Sequence, residues 1–408
     1  MAIVVLLGTL DTKGLEYDYV RRAVRSAGCD VLMIDAGVRG TPLTQPDIIR
    51  DQVAEAAGAS VKALADAGDR NAAVDTMARG ATVLCLELFR QGKLHGLLGL
   101  GGAGGSVLAT TVMRALPVGV PKLMVSTLAS GDTRPYVGEV DITMMYSVVD
   151  IAGINRISER ILSNAAAAIA GMATGYANFQ PAAETKPLIG ATMFGVTTPC
   201  VTEARQQLES RGYEVIVFHA TGTGGRSLET LIEGGYFAGV LDVTTTELAD
   251  ELVGGVLSAG DHRLEAAGKR GLPQVVSLGA LDMVNFGPRD SVPAKFEGRQ
   301  FHQHNATVTL MRTTPEENAQ LGRIIATKLN AATGKTAVFI PLKGVSMIDV
   351  DGKSFYAPEA DAALFENLKS NLRKDIEVIE MNTDINDPQF ARAMAAKLDE
   401  FLRTTSPH

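Results

Sequence analysis

Ile3-Val-Val-Leu-Leu-Gly-Thr-Leu-Asp-Thr-Lys-Gly14, followed by a helical stretch over 15–27, a stop at Gly28 and a second apolar run at 31–34, decides the fold. A run of five apolar residues closed by Gly8 is the pattern of a strand buried on both faces; a half-exposed strand would alternate. Residues 15–27 carry apolar positions at helical spacing, and Gly28 supplies the stop. The second run ends in Asp35-Ala-Gly37. Strand, helix and strand in this order form one unit of a parallel sheet.

The pattern continues with a strand at 96–100, a glycine run, a helix over 107–116, a strand at 122–126 and an alanine-rich helix over 154–173. Gln180-Pro-Ala-Ala-Glu-Thr-Lys-Pro187 has the composition of a linker. The strand–helix–Gly–strand opening then recurs from Leu188 through Gly212 to the run at 215–218. Gly28 aligns with Gly212 at an offset of 184 and Gly96 with Gly239 at 143, so the first half holds an insertion of about 41 residues, largely helical, between 38 and 80. The expectation is two Rossmann-like α/β domains with mostly parallel sheets, at 1–180 and 187–408, related by internal duplication. The second extends through a strand at 306–311, a capping box at Thr314-Pro-Glu-Glu317, a strand at 337–340, a hairpin around Asp349-Val-Asp-Gly352, a strand at 377–380 and a final helix to 402.

The bulk properties narrow the function classes. The chain has 408 residues, 46% hydrophobic and 21% charged, with a formal charge of -8, which disfavours a nucleic-acid surface. The absence of Trp removes the best stacking platform for single strands. Cys29, Cys85 and Cys200 have neither disulfide nor zinc spacing and read as small buried thiols. No secretion signal and no apolar run of about 20 residues is visible, so the expectation is a cytoplasmic protein without a membrane partner.

Ligands of open parallel sheets bind beyond the carboxyl ends of the strands, where this sequence concentrates glycines and polar residues. Gly99-Leu-Gly-Gly-Ala-Gly-Gly-Ser106 satisfies G-x-G-x-x-G between strand and helix. Bare backbone and a helix N-terminus suit a phosphate or carboxylate, although no acid stands about 20 residues on to hold a ribose as in NAD sites; a tight turn with close helix packing is the alternative. The loop 8–14 is not a Walker motif, yet Lys13 could meet a phosphate while Thr9 and Thr12 offer hydroxyls. The anion-site candidates are Gly8, Thr9, Asp11, Thr12, Lys13, Asp35, Gly37, Arg39, Gly101, Gly102, Gly104, Gly105, Ser106, Ser126, Thr127 and Asp132. Arg39 would neutralise charge, and Asp11, Asp35 or Asp132 would address a ribose or Mg²⁺.

The second half offers His219 in His219-Ala-Thr-Gly-Thr-Gly-Gly225 as a general acid or base, or as a histidine bonding its neighbours. Asp242 and Glu247 flank Val-Thr-Thr-Thr; Glu247 also fits the first turn of the following helix. Asp282 and His304 complete the catalytic candidates. His302 and His304 share a strand face, a spacing that can chelate, but no third ligand is near in sequence.

The loops 8–14 and 99–105, Tyr136-Val-Gly-Glu-Val-Asp-Ile142, Val215-Ile-Val-Phe-His-Ala-Thr-Gly222 and Leu281-Asp-Met-Val-Asn-Phe-Gly287 together resemble the Tm-1-like, UPF0261 family of bacterial, fungal and plant proteins, over residues 1 to about 402. The resemblance implies ATP binding in the N-terminal domain and a homodimer. Its plant namesake carries an additional TIM-barrel-like domain and inhibits viral RNA replication; this chain ends before such a domain, so that role is not expected of it. The combined expectation is a nucleotide-binding enzyme of small-molecule metabolism, its second domain facing the same cleft with an anionic substrate. The alternatives are a nucleotide-independent lyase, hydrolase or isomerase acting on a phosphorylated or carboxylated sugar-like compound, and a non-catalytic ATP sensor or scaffold.

Overall fold

The computed structural model describes residues 1–180 and 185–405. Its contacts divide the chain into two compact units, Met1–Ala182 and Ala183–His408. Residues 181–184 of the expected linker lie outside the described residues.

In the first unit, β1 (Ile3–Gly8), β2 (Asp30–Asp35), β3 (Gly96–Gly101), β4 (Lys122–Ser126) and β5 (Thr143–Tyr146) form a parallel sheet in the order β2-β1-β3-β4-β5. The helices are α1 (Leu10–Ser26), α2 (Arg50–Ala56), α3 (Val61–Ala67), α4 (Arg70–Arg90), α5 (Ala103–Ala115), α6 (Arg134–Val137) and α7 (Arg156–Asn178). The apolar run of β1 is continuous because both sheet faces are covered. Val4 and Leu6 pack with Tyr17, Val20 and Leu162 of α1 and α7, while Val5 and Leu7 pack with Met77 and Leu108 of α4 and α5. The expected insertion is α2, α3 and the start of α4.

The second unit repeats the order. Its strands β6 (Leu188–Met193), β7 (Glu214–His219), β8 (Gly239–Thr244) and β9 (Gln274–Gly279) are followed by an antiparallel trio, β10 (Met283–Phe286), β11 (Phe301–Asn305) and β12 (Val308–Arg312), and by β13 (Thr336–Pro341) and β14 (Glu377–Met381). The parallel sheet runs β14-β13-β9-β8-β6-β7, so β7-β6-β8-β9-β13 matches the five strands of the first unit. Helices α8 (Thr198–Glu209), α9 (Thr223–Glu233), α10 (Glu247–Val253), α11 (Ala266–Lys269), α12 (Pro315–Asn330), α13 (Pro358–Asn371) and α14 (Pro388–Thr405) complete it. The capping box is present: Glu317 N–H donates to Thr314 Oγ1 at 3.1 Å, and Thr314 N–H to Glu317 Oε2 at 2.8 Å.

Four local readings change. The helix after β1 begins at Leu10, five residues before the expected start, so most of the expected loop 8–14 is the first turn of α1. The helix after the glycine run begins at Ala103, four residues before the expected start, despite the poor helix propensity of Gly104 and Gly105. The edge strand β5 pairs only with β4 and is too short to show a period. Residues 349–352 pair with no strand among the described residues; Asp349 is instead a fully buried acid, bonded to Val345 N–H at 2.9 Å.

Candidate functional site

The sheet order of the first unit reverses between β1 and β3, leaving a crevice between their carboxyl ends. The glycines after β3 divide by role. A Cβ on Gly101 would stand 2.8 Å from the Gly105 Cα, one on Gly105 3.0 Å from the Leu100 carbonyl oxygen, and one on Gly99 2.4 Å from the Ala109 Cβ. These three let α5 press onto its own strand. Gly104 is less crowded: a Cβ there would lie 3.4 Å from Arg70 Nη2 and 3.9 Å from Val74 Cγ2, both on side chains rather than backbone. Gly102 caps α5 without a side chain, so no side-chain acceptor occupies its first turn.

A cavity of about 190 Å³ is bounded by Thr12, Lys13, Arg70, Asp150 and the backbone of 101–105. A second, of about 220 Å³, shares Thr9, Thr12, Arg70, Gly104 and Gly105 with it and runs past Asp11 and Arg39 to Val38, Leu64 and Val74. Lys13 Nζ donates to the Ile151 carbonyl. Asp11 Oδ2 accepts from Arg39 N–H at 3.0 Å, whereas its Oδ1 is buried and has no partner. Cations, hydroxyls and bare amides thus line one connected crevice, with Asp11 in its wall.

Other candidates serve the scaffold. Gly8 is glycine because a Cβ would collide with the Tyr17 hydroxyl, which accepts from Leu100 N–H at 2.7 Å and donates to the Leu7 carbonyl, tying β1 to β3. Asp35 is fully buried; its Oδ1 accepts from Leu10 and Gly37 N–H, and its Oδ2 from Arg50 Nε at 2.8 Å. Gly37 leaves room for the Asp11 carboxylate. Ser106 and Ser126 share a buried hydroxyl contact of 2.7 Å. The Thr127 hydroxyl is 3.5 Å from where a Gly102 Cβ would stand. Asp132 is exposed and held by Arg134 through two side-chain bonds, which pull its carboxyl down to about 2. Arg70 and Asp150 escaped the sequence reading. Arg70 comes from the insertion, whose only local signal was the cap Asp69 at the start of α4.

In the second unit the acids that look catalytic are neutralised internally. Fully buried Arg263 holds Asp242 in a two-point contact (2.6 and 2.7 Å) and Glu247 at 2.7 Å, with Glu229 at 3.3 Å. Glu247 also accepts from Gly222 and Gly225 N–H, so it caps α9 rather than its own helix. Burial opposes the charge on Arg263, but Asp242 first, then Glu247 and Glu229, keep it firmly protonated. Asp282 is fully buried, accepting from Ser346 Oγ at 2.7 Å. His219 ends β7 exposed, its ring 5.3 Å from that of Phe194, and His304 is exposed on β11. Asp242 and Glu247 thus share the buried Arg263, Asp282 is bonded to Ser346, and His219 and His304 are exposed on two different strands, so the five candidates do not form one catalytic constellation. No group of three or more His, Cys, Asp or Glu among the described residues is arranged to hold a metal. No helix there is long and apolar enough to cross a membrane.

Comparison with known proteins agrees with this division. The model of the N-terminal domain of the uncharacterised protein family UPF0261 matches residues 2–178, and that of its C-terminal domain residues 186–402. A UPF0261 protein of Clostridium tetani is 55% identical over 97% of this chain and 98% of its own length. The ToMV resistance protein Tm-1(GCR237) of Solanum lycopersicum is 47% identical over 76% of this chain, a match spanning 41% of the tomato protein. A solved UDP-N-acetylglucosamine 2-epimerase from Rickettsia bellii aligns over 67% of this chain and 78% of its own at 10% identity, with a TM-score of 0.23.

Proposed function

The chain belongs to the UPF0261 family, and from that premise we propose that its first unit binds ATP or a related nucleotide at the strand ends of β1 and β3. The phosphates lie over the bare amides of 102–105, where the α5 dipole favours negative charge. Arg70 and Lys13, which both line the cavity, neutralise them. The unpartnered Asp11 Oδ1 accepts a ribose hydroxyl, and Val38, Leu64 and Val74 line the space left for the base. A Mg²⁺ accompanying the phosphates would meet oxygen donors at Asp150 and Thr12. The observation that carries the reading is the approach of an arginine to a glycine-built helix start that lacks a side-chain cap.

Calorimetry with ATP, ADP, NAD and sugar phosphates tests it. Losing one charge-assisted phosphate contact costs about 1.5–3 kcal/mol, so Arg70→Ala should weaken ATP about 10- to 100-fold. Gly104→Val should do the same by filling the cradle. It is the better probe than Gly101→Val, whose side chain would strike the backbone of Gly105 and test folding instead. Unchanged ATP affinity in both variants would refute the placement. Binding of a sugar phosphate but of no nucleotide would transfer the site to a phosphorylated metabolite.

A further inference from the structure

The second unit contains a larger cavity, of about 700 Å³, at the carboxyl ends of β13 and β14. Lys343 and Asp384, Tyr356 and Asp351, and Asp361 and Phe365 of α13 stand around it. Asp361 is only 7% exposed and belongs to the buried cluster beneath. Arg312 Nη2 donates to Asp361 Oδ1 at 2.8 Å and to Asp349 Oδ1 at 3.1 Å. Asp282 faces the same guanidinium, and its buried Oδ1 has no partner.

Three buried carboxyl groups around one guanidinium would carry two excess negative charges if all were ionised, which a low-dielectric interior does not tolerate. The groups facing Asp361 are Arg312 of β12, Asp282 from the turn between β9 and β10, Asp349 from the segment after β13 and Glu359 of its own helix. Burial, then Asp282 and Asp361, push Asp349 up to about 9, so the cluster holds a proton at neutral pH. The cavity walls add Asp351 and Asp384 against Lys343, and two aromatic rings.

We propose that this cavity binds a primary ammonium borne on an apolar body, anchored by Asp361 and flanked by the Tyr356 and Phe365 rings. The ammonium donates its N–H groups to carboxylate oxygen, and the rings favour a cation over a neutral group of equal shape. As the cation enters, the proton held between Asp349 and Asp361 leaves to solvent. No bond other than that O–H is broken, and the affinity rises with pH towards the titration of Asp349.

Calorimetry of the full chain with n-pentylammonium and 2-phenylethylammonium, against 1-pentanol and 2-phenylethanol, tests this. The ammonium ions should bind at least about tenfold more tightly than the alcohols. Heats in two buffers of different protonation enthalpy should report proton release. Asp361→Asn should abolish binding. Ala362→Arg, which adds a positive charge from an exposed wall position outside the cluster, should do so with the melting temperature unchanged. Absence of ammonium binding, equal binding of the alcohols, binding of Ca²⁺ alone, or binding that survives Ala362→Arg would each overturn the proposal.

Discussion

Replacement of Arg263 by methionine should unfold the second unit far more easily at pH 7 than at pH 5. The guanidinium makes short bonds to Asp242 and Glu247 and longer ones, at 3.3 Å, to Glu229 and the Thr244 carbonyl. Methionine fills much of the volume but leaves two fully enclosed carboxylates and a third nearly so without a counter-charge. Some compensation remains: Asp242 keeps the Thr192 hydroxyl at 2.7 Å, and Glu247 keeps two backbone donors. Breaking a buried pair from one side costs about 3–5 kcal/mol, and that range is the expected loss at pH 7. At pH 5 Glu229, raised by burial and no longer lowered by Arg263, can take up a proton, so the loss should shrink. Urea unfolding followed by far-UV circular dichroism, at both pH values, measures the difference. A loss below about 1 kcal/mol at pH 7, the value of a surface pair, would show that water reaches the cluster and that its acids are free for other work.

Three further outcomes follow from the same geometry. Gly101→Ala should destabilise the first unit by about 1–3 kcal/mol through overpacking against Gly105, whereas Gly104→Ala should stay within about 0.5 kcal/mol; equal losses in thermal melts would contradict the division of roles. Tyr17→Phe strands the Leu100 N–H in the interior and should cost about 1–3 kcal/mol in urea melts; a neutral result would mean that N–H has another acceptor. Asp282 and Asp349, raised by burial from 3.8 to about 6 and about 9, hold their protons more tightly folded than unfolded. The stability due to those protons is complete below about pH 4 and is lost as pH rises through 6 and then 9, so the melting temperature of the second unit should fall over that range. Asp349→Asn, which cannot lose that proton, should flatten the slope; an unchanged slope would refute the assignment.

Local patterning was enough to specify the parallel strands other than β5, the recurrence of one strand–helix–strand order in both halves and the insertion at 38–80. Each depends on a period or a stop signal carried within a few residues of chain. The strand-to-helix junctions within 8–14 and 99–106 were also legible as the start of the candidate site, since bare backbone at a strand end is a sequence property. The sequence could not say which glycines face the crevice and which face Gly105, Ala109 or Tyr17, because that depends on the approach of a helix to its own strand. It could not pair Arg70 with Gly104 across more than thirty positions. Nor could it foresee that Arg263 would neutralise Asp242 and Glu247, or that Arg312 would gather three aspartates under a cavity. A carboxylate reads the same in sequence whether it meets water, a substrate or a buried guanidinium. Only the folded chain sets its surroundings, and those fix its charge and what it can bind.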